Sequence, residues 1–185
     1  MSARKVLVVL ADGFEDIEAV TAIDVLRRGE VDVVVASLGE GLEVRSAHGL
    51  PVVADAPFSK AAEGEYDAIV LPGGPGTEAL KASVPLLERL RRQKDEGGLI
   101  AAICAAPTVL VEAGVLEPEQ HVTCYPTCVM ELDRRSAGVP VVADGNVITG
   151  QAPGASLLFA LVVLKTLVGD TAAMKVARGM VTDVL

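Results

Sequence analysis

A cysteine at the end of an apolar run is the residue of this chain best suited to do chemistry. Residues 98–103, GLIAAI, are typical of a parallel strand buried on both faces. Residues 105–113 then favour a helix, with Pro107 tolerated in its first turn and Gly114 placed to end it. A thiol at such a junction faces the free amides of the next helical turn, which favour the thiolate. We therefore expect Cys104 to be a nucleophile with a lowered pKa, although a small buried hydrophobe is the alternative.

Two other loops bring acids or flexible backbone to strand ends. Residues 4–11 are apolar and lead through a turn into a predicted helix whose first residues include Glu15 and Glu18. Residues 66–72 lead into Gly-Gly-Pro-Gly at 73–76, where glycine permits close backbone approach with an outward-facing amide. First-turn acids also occur simply because they complement the helix dipole. The glycine spacing matches neither nucleotide-binding pattern.

Strands alternate with helices along almost the whole chain, which predicts an α/β sandwich with a mainly parallel central sheet. Sites in such sheets lie at the carboxyl ends of the strands, so the thiol, the acids and the glycine turn are expected at one sheet edge. An edge hairpin is predicted with His48 at its tip, and Asp144-Gly145 predicts a second hairpin. The other predicted pieces are helices at 14–28, 77–94, 105–113, 153–167 and 170–181, a brief strand at 121–125 and one or two helical turns at 126–132.

Length and composition indicate one domain, residues 1–185, with a core of aliphatic side chains, since 51% of the residues are hydrophobic and 3% aromatic. The formal net charge of −9, without basic clusters among aromatics, disfavours nucleic acid as a main partner. No stretch approaches the roughly 18 to 20 apolar residues of a membrane span. Three cysteines without regular spacing fit a reducing compartment. A cytoplasmic protein with no membrane partner is expected.

Four segments resemble, in order and spacing, those of the ThiJ/PfpI superfamily, in the branch of the Parkinsonism-associated deglycase. They are ADGFEDIEAV at 11–20, LPGGPG at 71–76, AAICAAPTVL at 101–110 and TGQAPGAS at 149–156. The similarity covers essentially the entire chain. It implies a flavodoxin-like three-layer fold, a homodimer, an oxidation-prone cysteine on a strained elbow, and no cofactor.

The resemblance also implies roles for the residues that match the family motifs. Cys104 corresponds to the nucleophile and Glu18 to the acid hydrogen-bonded to it, while the amides of Gly74 and Ala105 correspond to an oxyanion pocket. Two adjacent anions are costly, so Glu18 is expected to stay protonated, to donate to the thiolate and to carry protons. Its removal is expected to raise the pKa of Cys104. Further family counterparts are Glu15 and the Arg27-Arg28 pair, the arginines near the dimer-facing side.

Two positions depart from the family pattern. Tyr125 stands where many relatives have a histidine, and Ala105 rather than histidine follows Cys104. Because no Cys-His pair is assured, the general base for attack on an unactivated amide is missing and a peptidase is disfavoured. His48, contributed by a second subunit, is an accessory candidate.

Two more cysteines, Cys124 and Cys128, are separated by three residues, with only His121 nearby. Four ligands with tetrahedral spacing are not evident, so no metal site is predicted. The alternative is that Cys124 serves as a resolving thiol for an oxidised Cys104.

The leading functional hypothesis is a cofactor-independent glyoxalase or deglycase that acts on small dicarbonyls, such as methylglyoxal, or on their early adducts with amines and thiols. In it, Cys104 adds to the aldehyde, backbone amides hold the oxyanion and Glu18 moves the proton. The alternative is a redox sensor or chaperone in which Cys104 is oxidised to sulfinic acid. A glutamine-amidotransferase-like activity requires a histidine and an acid downstream of the nucleophile. It is disfavoured, because the only histidine after Cys104 is His121, which is not part of an H-x-E pattern.

Overall fold

The fold is a central sheet covered by helices on both faces, as given by a computed structural model that describes residues 4–132 and 136–184. The strands are β1 Lys5–Leu10, β2 Asp32–Ser37, β3 Glu43–Arg45, β4 Pro51–Val53, β5 Ala56–Pro57, β6 Ala68–Leu71, β7 Leu99–Ile103, β8 Val141–Asp144 and β9 Val147–Gly150. The helices are α1 Asp16–Arg28, α2 Phe58–Ala61, α3 Thr77–Ala82, α4 Val84–Asp95, α5 Pro107–Ala113, α6 Ser156–Val168 and α7 Asp170–Gly179. Two 3₁₀-helices cover Pro126–Leu132 and Pro153–Ala155.

Seven strands form the main sheet in the order β5-β2-β1-β6-β7-β9-β8. Every pairing in it is parallel except that of β8 with β9, while β3 and β4 form a separate antiparallel pair. The chain leaves β1 towards β2 on one side and returns to β6 on the other. Such a reversal opens a crevice at the carboxyl ends of the strands, where α/β proteins bind ligands.

Two hydrophobic clusters show that the sheet is the middle of three layers. Side chains from β1 alternate between them: Val6 and Val8 pack with α1, α6 and α7, whereas Leu7 and Val9 pack with α2 to α5. This alternation follows from the two-residue period of a strand. The predicted flavodoxin-like, mainly parallel α/β fold is confirmed.

Both predicted hairpins are present, at β3-β4 and at β8-β9. The predicted helix 77–94 is wrong, because the chain breaks at Ser83 into α3 and α4. Ser83 has extended backbone angles, caps α4 by accepting from the Leu86 N–H, and precedes Val84 and Pro85, which open the new helix. The predicted strand 121–125 is also wrong, since among the described residues this segment forms an isolated bridge, Val122 to Ser136, and no strand.

No helix in the described parts of the chain combines the length and the apolar character needed to cross a membrane.

Candidate active site

Cys104 occupies the first position after β7 and adopts a left-handed backbone conformation, with φ of 65°. A non-glycine residue held there costs about 1 to 3 kcal/mol, so the surroundings must impose it. The Cys104 N–H donates to the Gly150 carbonyl at 2.9 Å, and the Cys104 carbonyl accepts from the Tyr125 N–H at 2.7 Å. These two hydrogen bonds fix the peptide groups on either side of the elbow.

Glu18 lies in the first turn of α1 and is only 1% exposed. Its Oε2 accepts a hydrogen bond from the Gly73 N–H at 2.7 Å. Its Oε1 is buried and accepts no hydrogen bond of regular geometry within the described residues, although the Cys104 thiol lies near enough to act on the pKa of the carboxyl by hydrogen bonding. Burial of a carboxylate with one oxygen unsatisfied favours its protonated form.

Gly73 marks the point at which the thiol, the acid and an amide converge. A Cβ atom added to Gly73 would lie 2.8 Å from the Cys104 Cβ, 2.9 Å from the Glu18 Oε2 and 3.0 Å from the Ala105 nitrogen. The glycine turn at 73–76 was predicted at this edge from the sequence, but the family resemblance implied a role within it for Gly74 and none for Gly73. The feature of the sequence that could have identified Gly73 is the pair of adjacent glycines, since neither residue has a side chain to keep other groups away from the turn.

The amides of Ala105 and Gly74 lie near enough to the Cys104 sulfur to lower the pKa of its thiol by hydrogen bonding. Gly74 has φ of 88°, and a Cβ there would lie 2.5 Å from the Gly13 carbonyl oxygen. Glycine is therefore required for this amide to reach the sulfur. Two donors aimed at one atom form a small anion-binding pocket.

The expected lowering of the Cys104 pKa is wrong while Glu18 is ionised. Burial raises the pKa of Cys104 to about 12, with a further increase from the Glu18 charge, and the two amides offset only part of this. Burial likewise raises the pKa of Glu18 to about 7, against the hydrogen bond from Gly73. Because the two groups are neighbours, the loss of one proton from the pair opposes the loss of the second. A thiolate then forms most readily when the remaining proton lies on Glu18.

Glu15 supports the acid from outside. It is 8% exposed, and its Oε2 caps α1 by accepting the Glu18 N–H at 2.8 Å. Tyr125 reaches the elbow through its backbone, while its side chain is 41% exposed. These residues lie beside the reactive groups and position them.

Two other accessory candidates do not touch the thiol within this chain. The His48 Nδ1 lies 2.8 Å from the Asp16 Oδ2, and this contact raises the pKa of His48. Arg28 is at the opposite end of α1 from Glu18, where its Nε donates to Asp24 at 2.7 Å. Ligand atoms of Glu15, Asp16 and His48 lie within 4.8 Å of one another, but hydrogen bonds within the protein already engage them.

The fold and this geometry define a flavodoxin-like α/β protein with a cysteine on a left-handed elbow, a buried acid beside it and two amides facing its sulfur. The chain belongs to the DJ-1/PfpI family, whose model matches residues 4–166. The family resemblance seen in the sequence is thereby confirmed.

The comparisons with known proteins extend over nearly the whole chain. The crystal structure of Drosophila melanogaster DJ-1beta superimposes with a TM-score of 0.93 at 37% identity and covers 98% of this chain and 100% of that one. The glutathione-independent glyoxalase DJR-1.2 of Caenorhabditis elegans is 36% identical over 175 residues, which is 91% of this chain and 92% of that protein. Protein DJ-1 homolog B of Arabidopsis thaliana is 38% identical over 183 residues, or 97% of this chain, but this chain spans only 42% of its length.

Proposed function

We propose that this protein is a cofactor-independent glyoxalase or deglycase that acts on small dicarbonyls, such as methylglyoxal, or on their early adducts with amines and thiols. The observation that carries the proposal is the convergence of the Cys104 side chain, the Glu18 carboxyl and the Ala105 amide around Gly73. The similarity to a relative named as a glutathione-independent glyoxalase supports the same chemistry.

The reaction begins with the proton of the pair on Glu18 and the negative charge on Cys104. The thiolate adds to the aldehyde carbon, and the new oxyanion is held by the amides of Gly74 and Ala105. Glu18 gives its proton to this oxyanion and becomes the carboxylate that takes the proton from the former aldehyde carbon. It returns that proton to the neighbouring carbonyl carbon while the hydroxyl proton passes to the other oxygen, which leaves a thioester of the hydroxy acid. Water cleaves this thioester, releases lactate and restores the thiol. The net reaction adds one water to methylglyoxal, so no external oxidant or reductant is needed.

The chemistry does not require a histidine next to the thiol. An aldehyde is more electrophilic than an amide, and its addition product leaves no amine that must be protonated. Tyr125 occupies the position of the family histidine and contributes its backbone N–H to the elbow. This difference favours aldehydes over peptides as substrates.

The test is to incubate the purified protein with methylglyoxal in the absence of glutathione and to measure dicarbonyl loss and lactate together. We expect lactate to match the dicarbonyl consumed, Cys104→Ser to abolish turnover, and Glu18→Gln to lower kcat about 100-fold or more. Cys128→Ser is the matched control and should keep wild-type turnover, since Cys128 packs in a different cluster. Lactate production that survives in Cys104→Ser would rule out the proposal.

A redox sensor is the second candidate, because the same pocket suits an oxidised sulfur. A sulfinate at Cys104 would place its oxygens near the amides of Gly74 and Ala105 and near the Glu18 carboxyl. Treatment with peroxide, followed by mass spectrometry and by the lactate assay on reduced protein, separates the two functions. Stable Cys104 sulfinate without any methylglyoxal turnover by the reduced protein would favour the sensor.

A further inference from the structure

Two cysteines outside the candidate active site pack together in a cluster of their own. The buried members of this cluster are Val122, Cys124 and Leu132, and the partly buried Leu116, Cys128 and Val129 pack against them. Cys104 instead belongs to the large cluster under α1 and α6. The side chains of Cys124 and Cys128 therefore pack in the same small hydrophobic cluster, and Cys104 is not a member of it.

The Tyr125 carbonyl oxygen brings the two cysteines close to each other. It accepts the backbone N–H of Cys128 at 2.8 Å and the S–H of Cys124 at 3.3 Å. Since both distances end on the same oxygen, the Cys124 sulfur can be no further from the Cys128 nitrogen than their sum. A disulfide needs Cα atoms about 4.4 to 6.8 Å apart. The tight turn over residues 125–128 shortens the chain between the two cysteines towards that range.

The environments of the two thiols differ in a way that suits sequential oxidation. Cys124 is 1% exposed, and burial raises the pKa of its thiol to about 11, partly offset by a hydrogen bond with Ser136. Cys128 is only partly buried. An oxidant from solution therefore reaches Cys128 first, while Cys124 stays reduced beside it.

We propose that Cys124 and Cys128 form a reversible intramolecular disulfide when the protein meets a hydroperoxide. The Cys128 sulfur attacks one peroxide oxygen, the O–O bond breaks, and a sulfenic acid and one molecule of water form from hydrogen peroxide. The Cys124 sulfur then attacks the Cys128 sulfur, the S–O bond breaks, and the departing hydroxide takes the Cys124 proton as a second water. The two thiols lose two electrons, which reduce the peroxide.

Cys104 is not the partner of Cys124 in this proposal. The groups that act on the pKa of Cys104 are Glu18 and the amides of Ala105 and Gly74, and neither Cys124 nor Cys128 is among them. The hydrogen bond that links the two regions runs between backbone atoms, from the Tyr125 N–H to the Cys104 carbonyl. A disulfide from Cys124 to Cys104 would require one side chain to leave its cluster.

The experiment uses the Cys104→Ser variant, in which Cys124 and Cys128 are the remaining thiols. The folded variant is treated with a small excess of hydrogen peroxide, alkylated and cleaved after glutamate, which yields the peptide Gln120–Glu131 with both cysteines. We expect this peptide to lose about 2 Da and to resist alkylation. Dithiothreitol should restore both thiols.

The control is Cys128→Ser in the same background, at a partly exposed position where folding is checked by circular dichroism. It should show no such mass loss, and Cys124 should remain available for alkylation after unfolding. In wild-type protein, the peptide Gly97–Glu112 carries Cys104 separately, so a cross-link between it and Gln120–Glu131 would overturn the assignment. Stable addition of oxygen to Cys128 while Cys124 stays a thiol, or a disulfide only between two molecules, would overturn it as well.

Discussion

At the scale of single residues, the central question is where one proton lies. A carboxylate at Glu18 has one backbone donor, Gly73, and leaves Oε1 unsatisfied in a buried site. A thiolate at Cys104 has two amide donors. With the proton on Oε1, the acid donates to the sulfur and every buried polar group of the pair gains a partner. The arrangement with a neutral acid and a thiolate is therefore the one that the donors favour.

The ionisation of the thiol tests this directly, by thiolate absorbance near 240 nm against pH. We expect the wild-type signal and the dicarbonyl turnover to rise together as the first proton leaves the Glu18–Cys104 pair. In Glu18→Gln, the amide side chain cannot accept a proton from the thiol as the Glu18 carboxylate can. The pKa of the buried Cys104 thiol in this variant should therefore lie above the first pKa of the wild-type pair. The absorbance of Cys104→Ser gives the contribution of Cys124 and Cys128, which is subtracted from the wild-type signal. A wild-type thiol that stays protonated up to about 12, with a lower pKa in Glu18→Gln, would place the proton on the sulfur instead.

Glu18 also links stability to pH. Its pKa rises from 4.5 to about 7 on folding, so the folded state holds the proton more tightly and stability falls as pH rises through that window. At about 1.4 kcal/mol per pH unit, the loss is at most about 3 kcal/mol. Glu18→Gln should remove this pH-dependent loss. In urea unfolding, the free energy of unfolding of the variant should therefore rise relative to that of the wild type between pH 4.5 and 8. The exposed Glu78→Gln is the control, and a constant difference for Glu18→Gln across this range would contradict the assignment.

At the scale of secondary-structure elements, the site depends on how closely the turn after β6 approaches the elbow after β7. These strands are paired in parallel register, Leu71 opposite Ala102, so their following loops leave the sheet side by side. Glycine at position 73 lets the turn come within contact distance of the thiol, and glycine at 74 turns its amide towards the sulfur.

Gly73→Ala tests this close approach. The new methyl group would meet the Cys104 Cβ and the Ala105 nitrogen at 3.0 Å or less, so the turn must move away from the thiol. Because small displacements of catalytic groups are costly, we expect kcat to fall at least about tenfold. Gly41→Ala, where nothing lies within 4 Å of the added atom, should leave kcat unchanged. Normal kinetics in folded Gly73→Ala would show that the acid–thiol distance is not critical.

At the scale of the whole molecule, exposed apolar side chains occur on α1 and on the β3-β4 hairpin, which hydrogen bonds join. Ile17 and Val20 are 55% and 45% exposed on α1, and Val53 on β4 is 73% exposed. Hydrogen bonds from Ser46 and His48 to Asp16 attach the hairpin to the start of α1. We propose that a second copy of the chain covers these apolar side chains, as the family resemblance implies.

Sedimentation equilibrium tests the homodimer. We expect the wild type to sediment as a dimer, and Val20→Glu to shift it to monomer because a charge would be buried at the interface. Val111→Glu, on α5 in the opposite helical layer, should remain dimeric. A monomeric wild type at micromolar concentration, or dimers of Val20→Glu with unchanged affinity, would contradict the proposal.

The sequence determined the parts of this protein that depend on local pattern. Apolar runs of strand length, alternating with helical segments, specified the parallel α/β sheet, and the chain direction placed Glu18, the glycine turn and Cys104 at the same edge. The local pattern was misleading at residues 77–94, where the helical periodicity predicts one continuous helix. In the structure, Ser83 caps a second helix that has Pro85 in its first turn.

Only the tertiary structure decided the electrostatics of the site. The local sequence around Cys104 shows only the amides of a helical turn beside the thiol, and these lower its pKa. In the folded chain, burial raises the pKa of the thiol and an ionised Glu18 raises it further, so the amides favour the thiolate only while the proton stays on Glu18. The energy of a charge depends on everything within several ångströms of it. Those neighbours come from α1 and from the turns after β6 and β7, which lie far apart along the chain and meet only in the folded structure.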